Sequence, residues 1–99
     1  MNNKKQLLLE TFKTYEELFN VSNGVPKTYI LGLTYCDKCK ELQETFKSKN
    51  INYTFIDADL NNDFSDEIEN ITGNDYYPMV IVYNGLLIEI YDVEFKSLI

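Results

Sequence analysis

The sequence predicts an α/β fold: a four-stranded mixed sheet flanked by helices, with an extra helix at the N-terminus and a short helix at the C-terminus. Three observations carry this expectation. Thr28 to Leu33 is an unbroken apolar run, the mark of a strand buried on both faces. Segments of helical period separate it from a second strand-like stretch that ends at Asp57. Two runs rich in β-branched and aromatic residues then meet at Asn84-Gly85, a dipeptide whose tolerance of positive φ suits a hairpin turn.

Between Lys4 and Asn20, Leu8, Phe12, Tyr15 and Phe19 recur at helical spacing, and Leu7 and Leu18 widen the stripe. Asn23, Gly24 and Pro26 break this first helix before the apolar strand. In the next helix, ending near Asn50, Cys39, Leu42 and Phe46 share one face, so Cys39 points inward. Ile51 to Asp57 sets Tyr53, Phe55 and Asp57 against Asn52, Thr54 and Ile56, the alternation of a second strand. A third helix carries Phe64, Ile68 and Ile71 on one side, with Asn62 or Asp63 as expected N-cap and Gly73 as its stop. Met79 to Tyr83 and Leu86 to Tyr91 form the hairpin, with a two-residue turn. The tail from Asp92 to Ile99 has room for a short final helix at most, with Phe95 and Leu98 packing back.

Composition narrows the chemistry. The 99 residues suit one domain, 1–99, with 44% hydrophobic residues for a core. Sixteen acidic residues outweigh nine basic ones for a net charge of -7, and every basic residue is a lysine. Without the guanidinium fork, nucleic-acid binding is disfavoured. The absence of histidine removes the usual general base of hydrolytic triads and the commonest zinc ligand. The apolar run Leu7-Leu8-Leu9 is too short for a secretory signal and no stretch approaches a membrane span, so the expected location is cytoplasmic.

Cys36 and Cys39 are the two cysteines, in the run Cys36-Asp37-Lys38-Cys39 between the apolar strand and the second helix. In a reducing compartment such a pair points to redox chemistry or metal binding rather than a static crosslink. At the start of a helix, unpaired amides and the dipole favour a thiolate on Cys36; Lys38 and Lys40 push the same way and Asp37 opposes them. Cys36 is then the nucleophile toward a disulfide, and Cys39, one turn further in, the resolving thiol.

A Cys-x-x-Cys between the first core strand and its helix, a second strand and helix, and Pro78 just before a hairpin resemble the thioredoxin superfamily from about Thr28 onward. The resemblance implies a thioredoxin-like fold and a small thiol-disulfide oxidoreductase that needs no cofactor. It also implies a cis Pro78 beside the cysteines. Tyr35, Tyr77 and Pro78 are the substrate-binding candidates, the backbone of Tyr77 aligning the substrate, and Asp37 and Lys38 the residues that tune the thiolate. The partners implied are a disulfide-containing protein or low-molecular-weight thiol, with a reductase or glutathione as electron donor, and neither nucleic acid nor membrane. Tyr35 before the first cysteine and Phe55-Ile56-Asp57-Ala58-Asp59 look like thioredoxin, while the small size and short C-terminus look like glutaredoxin. Glutaredoxins carry a Gly-Gly pair after the hairpin strand, where this chain has Glu89-Ile90-Tyr91-Asp92, and commonly a basic residue where it has Leu33. Thioredoxins carry a buried acid in the strand before the motif, where this chain has Tyr29-Ile30-Leu31.

Other readings stand beside this one. A thioredoxin-fold binding module, or a dimer bridged by a metal through the cysteines, uses the same residues without turnover; one Cys-x-x-Cys supplies half of a structural zinc site. Asp57, Asp59, Asn61 and Asp63 imitate the start of a calcium loop, but the sixth position is Asn62 rather than glycine and the twelfth is Ile68 rather than glutamate. A solvated loop that caps a helix explains them better. Tyr35, Tyr76 and Tyr77 form either an apolar rim for a partner or a cover for the disulfide.

Overall fold

The computed structural model describes residues 3–21 and 24–99, so Asn23, assigned above to the helix break, lies outside the described residues. The first helix, α1 (Asn3–Thr14), buries Leu8, Thr11 and Phe12. It is shorter than the sequence pattern implies: after Tyr15 the chain makes a 3-10 turn at Glu16–Leu18 and is extended at Phe19. The reason is aromatic packing. The Phe19 ring stacks on Phe12 with centroids 4.8 Å apart and planes 8° from parallel, and it meets Tyr29, Phe64 and Tyr83 edge-on. Continuing the helix would carry Phe19 about 10 Å along the axis from Phe12, too far for two rings to stack.

The sheet contains β1 (Lys27–Gly32), β2 (Thr54–Asp57), β3 (Met79–Tyr83) and β4 (Ile88–Tyr91), in the spatial order β2-β1-β3-β4. β1 runs parallel to β2 and antiparallel to β3, and β4 is antiparallel to β3. Between β1 and β2 lies α2 (Asp37–Ser48), and between β2 and β3 lies α3 (Asn62–Thr72). Alternate residues of the strands serve two cores, as expected for a sheet covered on both faces. Tyr29, Leu31, Ile56, Met79 and Ile81 pack with Leu8, Phe12, Phe64 and Ile68 of α1 and α3. Ile30 and Val80 pack with Phe46 of α2, flanked by Leu42 and Phe55. This is the thioredoxin-like arrangement that the resemblance implies, with the additional N-terminal helix.

Several boundaries differ from the sequence reading, each for a local reason. After α2, Asn50 takes a left-handed φ of 57°; its N–H donates to Lys47 and that of Ile51 to Phe46. These two reverse bonds terminate the helix and occupy Ile51, so the strand starts at Thr54 rather than at Ile51. The N-cap of α3 is Asn61, not Asn62 or Asp63, and its side chain donates back to the Asp57 carbonyl instead of capping the helix. In the hairpin, Asn84 Oδ1 accepts from both Leu86 N–H and Leu87 N–H, at 2.8 and 2.7 Å. That cage spreads the turn over Asn84 to Leu87, so the two-residue turn gives way to a longer loop and β4 begins at Ile88.

The short C-terminal helix is absent. Asp92 Oδ1 accepts from Glu94 N–H and Lys96 N–H, both at 2.9 Å, folding the chain into a tight turn. Ser97 then bridges Tyr91, and Leu98 N–H bonds to Ile90. An aspartate that binds the next amides competes with helix formation, and here it wins. Leu98 packs against the core as expected, whereas Phe95 remains 59% exposed.

Candidate active site

The site is assembled where β1 hands the chain to α2. Cys36 is the N-cap of α2, with extended backbone angles, and its sulfur accepts from the Cys39 N–H at 3.4 Å. A thiol thus stands where serine, threonine or aspartate ordinarily satisfies the first free amides of a helix. Cys36 is half-buried, Cys39 is fully buried, and both thiols are free. Cys39 Sγ accepts from the Leu33 N–H at 3.4 Å. Burial pushes the Cys39 thiol up to about 11; the Leu33 N–H pulls the other way and the neighbouring Cys36 adds to the rise.

Gly32, which lies outside the Cys-x-x-Cys motif, makes this placement possible. A Cβ on Gly32 would stand 2.7 Å from Cys39 Sγ and 3.4 Å from the Phe55 ring, so only a residue without a side chain lets the sulfur lie against β1. The signal in the sequence is the single glycine within the apolar strand, since a strand glycine often marks a close approach.

The bond between Tyr77 and Pro78 is cis, as the resemblance implies. Leu31 pairs with Met79 across the sheet, so one further step along that register sets the buried Pro78 opposite Gly32, at the end of β1 from which the cysteine motif follows. Pro78 also shares an open groove of about 270 Å³ with Lys38, Leu42 and Phe95. The structure therefore brings Cys36, Cys39, Pro78 and Lys38 to one end of the sheet.

The tyrosines divide. Tyr35 is 66% exposed; a hydrogen bond with the Asp59 carboxylate, and then that group's charge, push its phenol up. Tyr76 is exposed as well, with its carbonyl held by the Asn74 side chain at 3.0 Å. Tyr77 instead turns inward against the core beneath the sheet, where burial is the first cause of its raised phenol. The three do not form one continuous rim, because Tyr77 packs on the core while Tyr35 and Tyr76 stay exposed. Asp37 is exposed in the first turn of α2. The acidic segment that imitates a calcium loop closes on itself: Asp57 Oδ1 accepts from Asp59 N–H, and its carbonyl from Asn61. Among the described residues, no group of three or more acidic, cysteine or histidine side chains is placed to hold a metal ion.

The family model described as Glutaredoxin matches residues 27–88, more than half of the chain and every element from β1 to the start of β4. The chain belongs to the glutaredoxin family. No curated protein matches it. Membership places this glutaredoxin-family chain in the thioredoxin superfamily and supports a thiol redox function in general. The family generally works with glutathione or disulfide substrates. Among the described residues no helix is long and apolar enough to cross a membrane.

Proposed function

We propose that the protein is a dithiol thiol-disulfide oxidoreductase of the cytoplasm, with Cys36 as nucleophile and Cys39 as resolving thiol. The observation that carries this reading is the asymmetry of the pair: a half-exposed sulfur on the helix N-cap, backed one turn later by a buried thiol whose own N–H reaches it.

As a thiolate, Cys36 Sγ attacks one sulfur of the substrate disulfide. A bond forms between them, the substrate S–S bond breaks, and its electron pair leaves on the second sulfur, which departs as a thiol after taking a proton. The Cys39 N–H, in the first turn of α2, donates to the sulfur that carries the charge. Cys39 then loses its proton and attacks Cys36 Sγ, expelling the remaining substrate sulfur. The substrate gains two electrons and becomes two thiols, while the protein dithiol becomes a disulfide that glutathione or a reductase must reduce again. Because burial holds the Cys39 thiol high, this second step speeds up as pH rises. The Tyr77 backbone, just before buried Pro78, is available to align an extended substrate alongside the motif.

Cys36→Ser abolishes reduction of a peptide disulfide, whereas Cys39→Ser stops at the mixed disulfide, which mass spectrometry detects as a covalent adduct on Cys36. Full turnover by Cys36→Ser with a dithiol reductant sinks the assignment.

A further inference from the structure

The groove beside Pro78 has a chemistry of its own. Its floor is apolar, from Leu42 of α2 and Val80 of β3, and the C-terminal turn raises Phe95 as the opposite wall. Two carboxylates, Glu41 and Asp92, stand on it against one ammonium, Lys38. Lys38, Glu41, Leu42 and Thr45 follow one another at helical spacing, so the groove runs along one face of α2, away from the cysteines. Glu41 follows the nucleophile Cys36 by five residues, a rise of about 7.5 Å along α2. The wall is held deliberately: Phe95 sits at a φ of 61°, a conformation that bulky side chains rarely adopt, and the Asp92 turn keeps it there.

An aliphatic floor, an aromatic wall and two carboxylates, in a groove that adjoins the motif through Lys38 and Pro78, match one kind of side chain: a long one with an apolar stem and a cationic head. A volume of about 270 Å³ is room for such a side chain. We propose that the groove is a specificity subsite for an arginine or lysine adjacent to the cysteine of a polypeptide disulfide. Anionic thiols such as glutathione are disfavoured there. The proposal rests on the oxidoreductase reading and adds its substrate class. The groove is continuous with the candidate active site through Pro78 and Lys38, and the carboxylates supply the complementary charge.

The test uses disulfide dimers of one short peptide with arginine, glutamine or glutamate directly after its cysteine. Reduced protein reacts with each in a single turnover, and each rate constant is divided by that of dithiothreitol with the same peptide, which removes the intrinsic reactivity of the disulfide. The arginine peptide should exceed the glutamine peptide by about five-fold, the effect of one partly exposed ion pair. The glutamate peptide and glutathione disulfide should both fall below the glutamine peptide. Glu41→Gln should remove most of the arginine preference, whereas Glu44→Gln, the same charge change on α2 outside the groove, should retain it. Equal rates for the three peptides overturn the subsite and leave the oxidoreductase intact. Equal losses in the two variants also overturn it, because they assign the preference to overall charge. Failure to reduce any peptide overturns the oxidoreductase reading and the subsite together.

Discussion

Replacing Gly32 by alanine drives a methyl group into the sulfur that resolves the mixed disulfide. The new Cβ would lie 2.7 Å from Cys39 Sγ, while ordinary contacts between heavy atoms optimise at about 3.5–4.0 Å, so one partner must move by about 1 Å. Neither moves freely. Gly32 is held in the ladder with β2, opposite Asp57, and its carbonyl accepts from Ala58 at 2.8 Å; the Cys39 side chain is fully buried and accepts from Leu33. Overpacking of this kind costs about 1–3 kcal/mol, and the reduced backbone freedom of alanine in the unfolded chain returns about 0.4–1 kcal/mol. The expected net loss therefore lies between about 0 and 2.6 kcal/mol, centred near 1 kcal/mol. Urea unfolding of the reduced protein measures it in a cycle with Cys39→Ala. Deleting the sulfur leaves the Gly32 methyl no contact closer than 3.4 Å. The double variant should then be more stable than the sum of the single losses by about 1 kcal/mol, the coupling of residues in contact. The surviving Gly32→Ala protein should also resolve its mixed disulfide more slowly. Additive losses, within about 0.5 kcal/mol, refute the claim that the glycine exists to admit the sulfur.

Burial that raises the Cys39 thiol from 9.0 to about 11 makes the reduced protein bind one more proton than its unfolded chain in that interval. Its contribution is fully present below pH 9 and is lost as pH rises toward 11, roughly 2–3 kcal/mol; a Cys39→Ala protein melted over the same range should lack that component. By the same ionisation, decay of the mixed disulfide on Cys36 should accelerate steadily above neutral pH, and a rate flat from pH 7 to 9 counts against Cys39 as the resolving thiol. Asp92→Ala removes the acceptor for two amides of the C-terminal turn, so hydrogen exchange at Glu94 and Lys96 should quicken in line with a loss of about 1 kcal/mol; unchanged protection means that the turn has another support. Phe12→Ala empties the centre of a ring cluster that includes Phe19, Phe64 and Tyr83, for an expected loss of about 3–5 kcal/mol in urea unfolding; a loss below 1 kcal/mol makes α1 peripheral.

Much of this protein is written in local pattern. The apolar run before Leu33, the stripe through Cys39, Leu42 and Phe46, and the alternation before Asp57 each answer to neighbours within a few residues, and periods of two or 3.6 report which faces are buried. The cysteine spacing belongs to the same class, since a helix start sets the two thiols one exposed and one inside. What local pattern misses is decided by residues far apart in sequence or by side chains that bind their own backbone. Phe12 draws Phe19 out of the helix, and Asp92 replaces a final helix with a turn. Tyr77 turns from the rim into the core, and Asn84 widens the hairpin loop.

The sequence by itself determined the strands, the helices that cover them and the reactive pair, because these follow from periodicity and from the chemistry of a thiol at a helix end. Only the tertiary structure decided that Gly32 lies against Cys39, that Pro78 stands across from Gly32 at the end of the sheet, and that Phe95 and Asp92 line a groove beside Pro78 and Lys38. Those contacts arise from strand pairing and chain reversal across dozens of residues, where distance in space has no counterpart in spacing along the chain.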